Sequence, residues 1–403
     1  MATKYNTTGA SSAGGIVSKQ LLFIPGPVTV SDAVLAAMAT PMVDHRGPEY
    51  KALQANIARK LQPVFGTTGE ILLLGASGTG GLEAAMTNMF APGEKVLACP
   101  VGVFGERFAA IGKTWGIDIE VLPTEYGHAV DPAALKARLD ADTKREIKGV
   151  LLTHNETSTG VQHDMGPLAD AVRAHGAYSL VDSVSGLAAS EFTMDAWGFD
   201  VVVTASQKAL AVPPGMAMVA VAPRAWEKMN AGASRYYFDL KKAREFAAIG
   251  QTPWTPPLSI AFALDLALDR YNAEGPANVW ARHERYTRAI HAAAAGFGMT
   301  MFSQPGAHSV TVSAINVPAG IDGDAIRKKL RAERNVVLGG GQGKLAGKIM
   351  RIGTMGDLSQ TDVLGMLGAL ELELLAAGLP LKPGSGVQAA VRVFMGEGAA
   401  VPA

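Results

Sequence analysis

Asp200-Val201-Val202-Val203-Thr204-Ala205-Ser206-Gln207-Lys208-Ala209-Leu210 runs from a continuous apolar stretch into a polar loop. The run from Val201 to Thr204 reads as a strand buried on both faces, which a parallel sheet covered by helices requires. Most lysines are solvated, but Lys208 stands where the strand ends. In a partly desolvated pocket a lysine's pKa falls and its amine can attack a carbonyl to form a Schiff base. A second strand end supports that reading. Leu180-Val181-Asp182-Ser183 places a carboxylate where another apolar run closes. A lysine to hold an aldehyde and a carboxylate to hold a pyridinium nitrogen are the two groups that pyridoxal phosphate (PLP) needs.

Outward from these ends, the pattern from about residue 50 to 222 alternates apolar strands with helical segments. Tyr50, Leu53, Ile57, Leu61 and Val64 recur at helical spacing. Strands are expected at 71–74, 96–99, 119–122, 150–153, 178–181, 201–204 and 216–221, with helices at 81–90, 104–115, 132–139 and 167–175. This is an α/β pattern with a mainly parallel sheet. Beyond 258 the texture changes. Helical stretches at 258–271 and 276–295 precede strands near 310–315, 336–338 and 349–352 and a helix over 361–377. The expected division is a flexible tail over 1–20, an N-terminal segment plus large domain over 21–257, and a smaller α+β domain over 258–403. Residues 21–40 are expected beside the smaller domain, because Pro25-Gly26-Pro27 bends them away from the main sheet.

Composition narrows the function. The 403 residues carry a formal net charge of zero, and 18% are charged. This lacks the basic excess of a nucleic-acid or membrane-surface protein. The single cysteine, Cys99, allows no internal disulfide and follows a predicted strand, so it reads as a buried structural thiol. No apolar run is long enough to span a bilayer, and the first twenty residues lack a hydrophobic signal core. A cytoplasmic location is expected. His154 and His163 are too far apart for a helical His-x-x-x-His pair, so no metal is expected.

Gly75-Ala76-Ser77-Gly78-Thr79-Gly80-Gly81 lies between a strand and a helix. Such a loop brings backbone N–H groups and a helix N-terminus to a phosphate. The rival is a dinucleotide fold, which expects an acid closing the second strand about 20 residues on. Here that strand gives way to Cys99-Pro100-Val101-Gly102. A third polar strand end is His154-Asn155-Glu156-Thr157-Ser158-Thr159-Gly160. Parallel sheets bind ligands outside their strands' carboxyl ends, so the convergence of polar ends at 75–81, 154–160, 182–185 and 206–208 says more than any one motif. His154 alone is better read as structural. Phe104, at a helix start, suits either the core or a stack on an aromatic ring. Arg351, ending a strand, suits either an inter-domain salt bridge or a bidentate grip on a substrate carboxylate.

Leu22-Phe23-Ile24-Pro25-Gly26-Pro27, Asp44-His45-Arg46-Gly47-Pro48, Ser77-Gly78-Thr79-Gly80, Val181-Asp182-Ser183-Val184-Ser185, Ser206-Gln207-Lys208 and Arg351-Ile352-Gly353, in that order, resemble the class V aminotransferases. The likeness covers about residues 21–390 and is greatest to the serine–glyoxylate and alanine–glyoxylate branch with its aspartate–glyoxylate relatives. It implies a fold-type I transferase, PLP, amino acid and 2-oxo acid substrates, and a homodimer with shared active sites. Carried over by position, Lys208 would hold the cofactor and move the proton, and Asp182 would pair with the pyridinium nitrogen. Gln207 with Ser77, Gly78 and Thr79 would bind phosphate, joined by Thr255 from the partner. Phe104 would stack on the ring and Ser158 would supply a cofactor-contacting hydroxyl. Arg351 would grip the substrate carboxylate in a pocket lined by the backbone at Gly26.

Trp254, Thr354 and Ala209 stand where relatives commonly have Tyr, His and Gly. These departures are expected near the pocket rim, where they bear on the amino donor. The expected reaction moves an amino group from serine or alanine, with aspartate as an alternative, to glyoxylate. Competing readings are a 2-aminoethylphosphonate–pyruvate or other pyruvate-using class V transaminase, a cysteine desulfurase, for which Cys99 is badly placed, and a dinucleotide-dependent oxidoreductase.

Overall fold

The computed structural model describes residues 20–229 and 235–397. Apart from its last residue, the tail expected over 1–20 lies outside the described residues. A seven-stranded sheet forms the larger body, in the order Glu70–Leu74, Ala217–Val221, Val201–Ala205, Tyr178–Asp182, Ile147–Thr153, Lys95–Ala98 and Asp118–Val121. Only Ala217–Val221 runs against the others. The continuous apolar runs are explained by helices on both faces. Val202, Val181 and Leu152 enter one core with Ile57 and Leu61 of helix Pro48–Phe65. Their strand neighbours Val201, Val203, Leu180 and Leu151 enter the other, with Leu82 and Met86 of helix Gly78–Met89. Because side chains alternate across a strand, a sheet buried on both faces must be apolar at every position.

A second sheet has the order Leu21–Phe23, Val336–Gly340, Ile349–Gly353 and Val312–Asn316. Leu21–Phe23 pairs in parallel with Val336 to Leu338, so the chain's early residues sit with its late ones. Phe23, Ile290, Leu330, Ile352 and Leu367 form this sheet's core. The segment after Phe23 divides, since helix Asp32–Ala37 buries Val34 in the larger core. Helix Leu258–Glu274, read in sequence as the start of the smaller domain, also turns Ile260, Ala261, Leu264 and Leu268 into the larger core beside helix Pro48–Phe65. The change of texture at 258 thus comes one helix before the second core begins. Among the described residues, no helix is long and apolar enough to cross a membrane.

Candidate active site

Strands Tyr178–Asp182 and Val201–Ala205 are parallel neighbours, so their carboxyl ends open on the same side. Beyond Ala205 the chain turns tightly: Ala211 N–H donates to the Lys208 carbonyl at 2.9 Å and Ser206 Oγ donates to the Pro213 carbonyl at 2.8 Å. The turn holds Lys208 over the sheet end, where its Nζ donates to the Pro25 carbonyl at 2.5 Å. Burial lowers the Lys208 pKa from its ordinary 10.5 to about 8; nearby Asp182 opposes this, and Arg351 and Arg107 add to it. Asp182 is buried, and its Oδ1 accepts the Val184 N–H at 2.9 Å. Burial raises its pKa to about 7, against the pull of that hydrogen bond. His154 lies beside it as a structural group. Its N–H donates to the Asp182 carbonyl, and its Nδ1 is 2.8 Å from Ser183 Oγ.

A cavity of about 360 Å³ opens over these ends, and Gly26, Ser77, Gly78, Thr79, Phe104, Asp182, Gln207 and Lys208 all line it. Ser77 is the N-cap of helix Gly78–Met89, yet its side chain caps nothing. The first-turn N–H groups, which have no intrahelical partner, are left for an anion. Glycine is required at Gly78, where a Cβ would lie 2.7 Å from Val184 Cγ2. The buried Oε1 of Gln207 has no hydrogen-bond partner, and the same holds for Asn155 Oδ1 and Gln342 Oε1, on residues that line the cavity too. An anion-ready helix end, a carboxylate, an amine of depressed pKa and buried orphan amide oxygens together fit PLP.

Not every expected residue reaches this cavity. Ser158 is fully buried, and its hydroxyl is occupied, accepting from Val103 N–H at 2.9 Å and donating to Glu156 at 2.7 Å. Its neighbour Thr157 lines the cavity instead. Arg351 is buried just behind, with Nε on the Gly340 carbonyl at 2.7 Å and Nη1 on the Thr157 carbonyl at 3.1 Å. Burial depresses its pKa to about 10. Among the described residues it forms no ion pair, and its hydrogen bonds go to backbone carbonyls. Thr255 is exposed and lines a separate cleft with Tyr237 and Trp254.

None of the three departures, expected near the pocket rim, is among the residues that line the cavity within this chain. Thr354 is fully buried and donates to the Val310 carbonyl at 2.8 Å. Trp254 stacks beside Tyr237, and Ala209 lines a different cavity, between Ser31 and Arg270. Arg107 and Gln342, which sequence reasoning passed over, line the site, as do Asn155, Thr157 and Ser185, which stand in the polar strand ends but had been given no individual role. Arg107 lies over the Phe104 ring at 4.7 Å from its centroid. Cys99 is buried, and its thiol pKa is pushed up to about 12. Among the described residues, no cluster of three His, Cys, Asp or Glu could hold a metal ion.

A match to the family Aminotransferase class-V spans residues 33–355. A protein named soluble hydrogenase 42 kDa subunit, from Anabaena cylindrica, is 38% identical over 93% of this chain and 99% of its own. The L-aspartate–glyoxylate aminotransferase of Paracoccus denitrificans is 36% identical over 93% of this chain and 96% of its own. Among solved structures, the ureidoglycine–glyoxylate aminotransferase of Bacillus subtilis superposes with a TM-score of 0.89 at 28% identity, covering 95% of this chain and all of that one. The chain belongs to the class V aminotransferases. It is an enzyme of the fold-type I architecture, and its cofactor is PLP.

Proposed function

We propose that the protein transfers the amino group of a small amino acid, serine or alanine, to glyoxylate, yielding glycine. The observation that carries this reading is the meeting of the Lys208 amine and the Asp182 carboxylate over one cavity, with the Arg351 guanidinium buried behind it. PLP, when bound, supplies an electron sink for the substrate's α-carbon. The protein's own groups do the rest. Lys208 would hold the cofactor aldehyde and, as an amine, would move a proton at the substrate's α-carbon, help worth roughly 10²–10⁴ in rate. Asp182 would pair with the pyridinium nitrogen, and that positive charge would favour its carboxylate form against the burial that raises its pKa. Ser77, Gly78, Thr79 and Gln207 take the phosphate, and Phe104 faces the ring. The hydroxyl contact expected of Ser158 falls to Thr157.

Arg351, with the backbone at Gly26, takes the substrate carboxylate. Glyoxylate carries only hydrogen where an amino acid has a side chain, so this grip and the cofactor suffice to bind it. The Paracoccus and Bacillus proteins, both named for glyoxylate, support that acceptor. Aspartate remains the second donor reading, and Arg107 favours it as a cation lining the same cavity, able to meet a second carboxylate. Arg46 does not: its guanidinium is held by Gln251, Thr252 and Pro253. Exposed Thr255, beside exposed Tyr236 and Tyr237, supports a homodimer in which Thr255 reaches the partner's phosphate site.

The test is chemical labelling. Borohydride treatment of the yellow holoenzyme should fix PLP on the peptide containing Lys208, and recovery of the label on another lysine would refute the assignment. Mixing Lys208→Ala with Thr255→Ala protomers should restore one intact site per dimer, whereas a fully active monomer would exclude shared sites.

A further inference from the structure

Glu156 contributes no atom to the cavity lining, yet it is fully buried behind Phe104. Its carboxylate is held by four donors. Oε2 accepts the N–H groups of Phe104 at 3.1 Å and Gly105 at 3.0 Å, and Oε1 accepts the Ser158 N–H at 2.9 Å and hydroxyl at 2.7 Å. Phe104 and Gly105 belong to the first turn of helix Val103–Thr114, whose N–H groups have no partner within the helix. The helix's own N-cap residue is Gly102, which has no side chain to cap them. The cap therefore comes from Glu156, in the short strand Asn155–Glu156, far from the helix in sequence. With Val103 N–H on Ser158 Oγ at 2.9 Å, three successive amides of the Phe104 turn are fixed by the pair Glu156 and Ser158. Gly102 makes room for this arrangement, since a Cβ there would lie 2.5 Å from Glu156 Cγ and Cδ and 2.4 Å from Ser158 Oγ.

We propose that Glu156 is a positioning residue for the cofactor ring: it locks the backbone of Phe104 so that the aromatic face is preset over the cavity. Burial pushes the Glu156 pKa up and the hydrogen bonds from Ser158, Gly105 and Phe104 oppose that rise; replacing one of its oxygens by an NH2 group leaves a buried N–H without an acceptor. Glutamine at 156 keeps the shape but can accept on one side only, so either the helix turn or Ser158 loses its partner.

The inference rests on the reading that PLP occupies this cavity, and the experiment separates the two. The full-length wild type, Glu156→Gln, Phe104→Ala and the double variant are stripped of PLP and titrated with it. The readouts are the dissociation constant, the visible dichroism of bound cofactor and the melting temperature of the stripped protein. Glu156→Gln should bind PLP about tenfold more weakly, the scale of one lost charge-assisted hydrogen bond, with reduced dichroism. The double variant should bind more tightly than the product of the single losses predicts, because both act through one ring. Wild-type affinity and dichroism in Glu156→Gln, even with a lower melting temperature, would overturn the proposal, as would full additivity with Phe104→Ala. If Glu156→Gln does not fold, Ser158→Ala, which removes one of the four donors, enters the same cycle with the same criteria. Failure of the wild type to bind PLP would overturn the cofactor reading itself.

Discussion

Gly26 and Lys208 share one space: a Cβ on Gly26 would lie 2.8 Å from the Lys208 Nζ and 2.9 Å from its Cδ. The backbone at Gly26 also has a φ of +123°, which L side chains rarely adopt. Gly26→Ala should therefore fold with a strained turn, at a cost of about 1–3 kcal/mol, and displace the lysine amine from the sheet end. The expected outcome is a large loss of covalent PLP capture, read by the visible absorption of the bound cofactor. Capture at the wild-type rate would show that the lysine does not depend on this gap.

The pH dependence of capture follows from the depressed Lys208 pKa. Only the unprotonated amine attacks an aldehyde, so the rate on the stripped protein should rise with pH and level off above about 8, rather than climbing to the ordinary 10.5. Asp182 raises the lysine pKa, so Asp182→Asn should shift the midpoint to lower pH. The same groups give a stability signature. Between about 8 and 10.5 the unfolded chain binds the extra lysine proton, so this contribution rises with pH across that window. For Asp182, whose folded pKa of about 7 lies above its ordinary 3.8, the folded chain binds the extra proton, and stability falls as pH rises through that range. Denaturant titrations at stepped pH, with Asp182→Asn as the control lacking the second effect, measure both.

Arg351 should tie activity to the substrate's α-carboxylate. Losing a hydrogen bond to a charged group costs about 1.5–3 kcal/mol, so Arg351→Ala should lower kcat/KM by roughly ten- to a hundredfold. Arg351→Lys keeps the charge but loses the planar fork and should also be impaired. Steady-state kinetics across several amino acids check this, and unchanged values for every carboxylated substrate would contradict the assignment.

The strand-end residues were legible in sequence because a two-face-buried strand is apolar throughout, so a polar group at its end stands out. Asp182, Lys208 and the loop from Ser77 to Thr79 were found in that way. Register inside a loop was not. Thr157 and Ser158 both carry hydroxyls, and only the path of the turn shows that Thr157 faces the cavity while Ser158 supports Val103 and Glu156. Arg107 and Gln342 escaped notice because they line the cavity from a helix and from a loop after a strand of the second sheet, where no periodic pattern marks them. Their neighbours in space lie far away in sequence. Helix Leu258–Glu274 was assigned to the smaller domain on texture, whereas its partner in packing, helix Pro48–Phe65, lies some two hundred residues earlier.

The central claim is amino transfer to glyoxylate, and a half-reaction panel tests it most directly. PLP-form enzyme is mixed with serine, alanine, aspartate or 2-aminoethylphosphonate, and pyridoxamine-form enzyme with glyoxylate, pyruvate or oxaloacetate, while the cofactor spectrum is followed. The account predicts rapid conversion by serine or alanine and rapid return by glyoxylate. Return by pyruvate with none by glyoxylate, or strong conversion by aminoethylphosphonate, which has no α-carboxylate for Arg351, would contradict it.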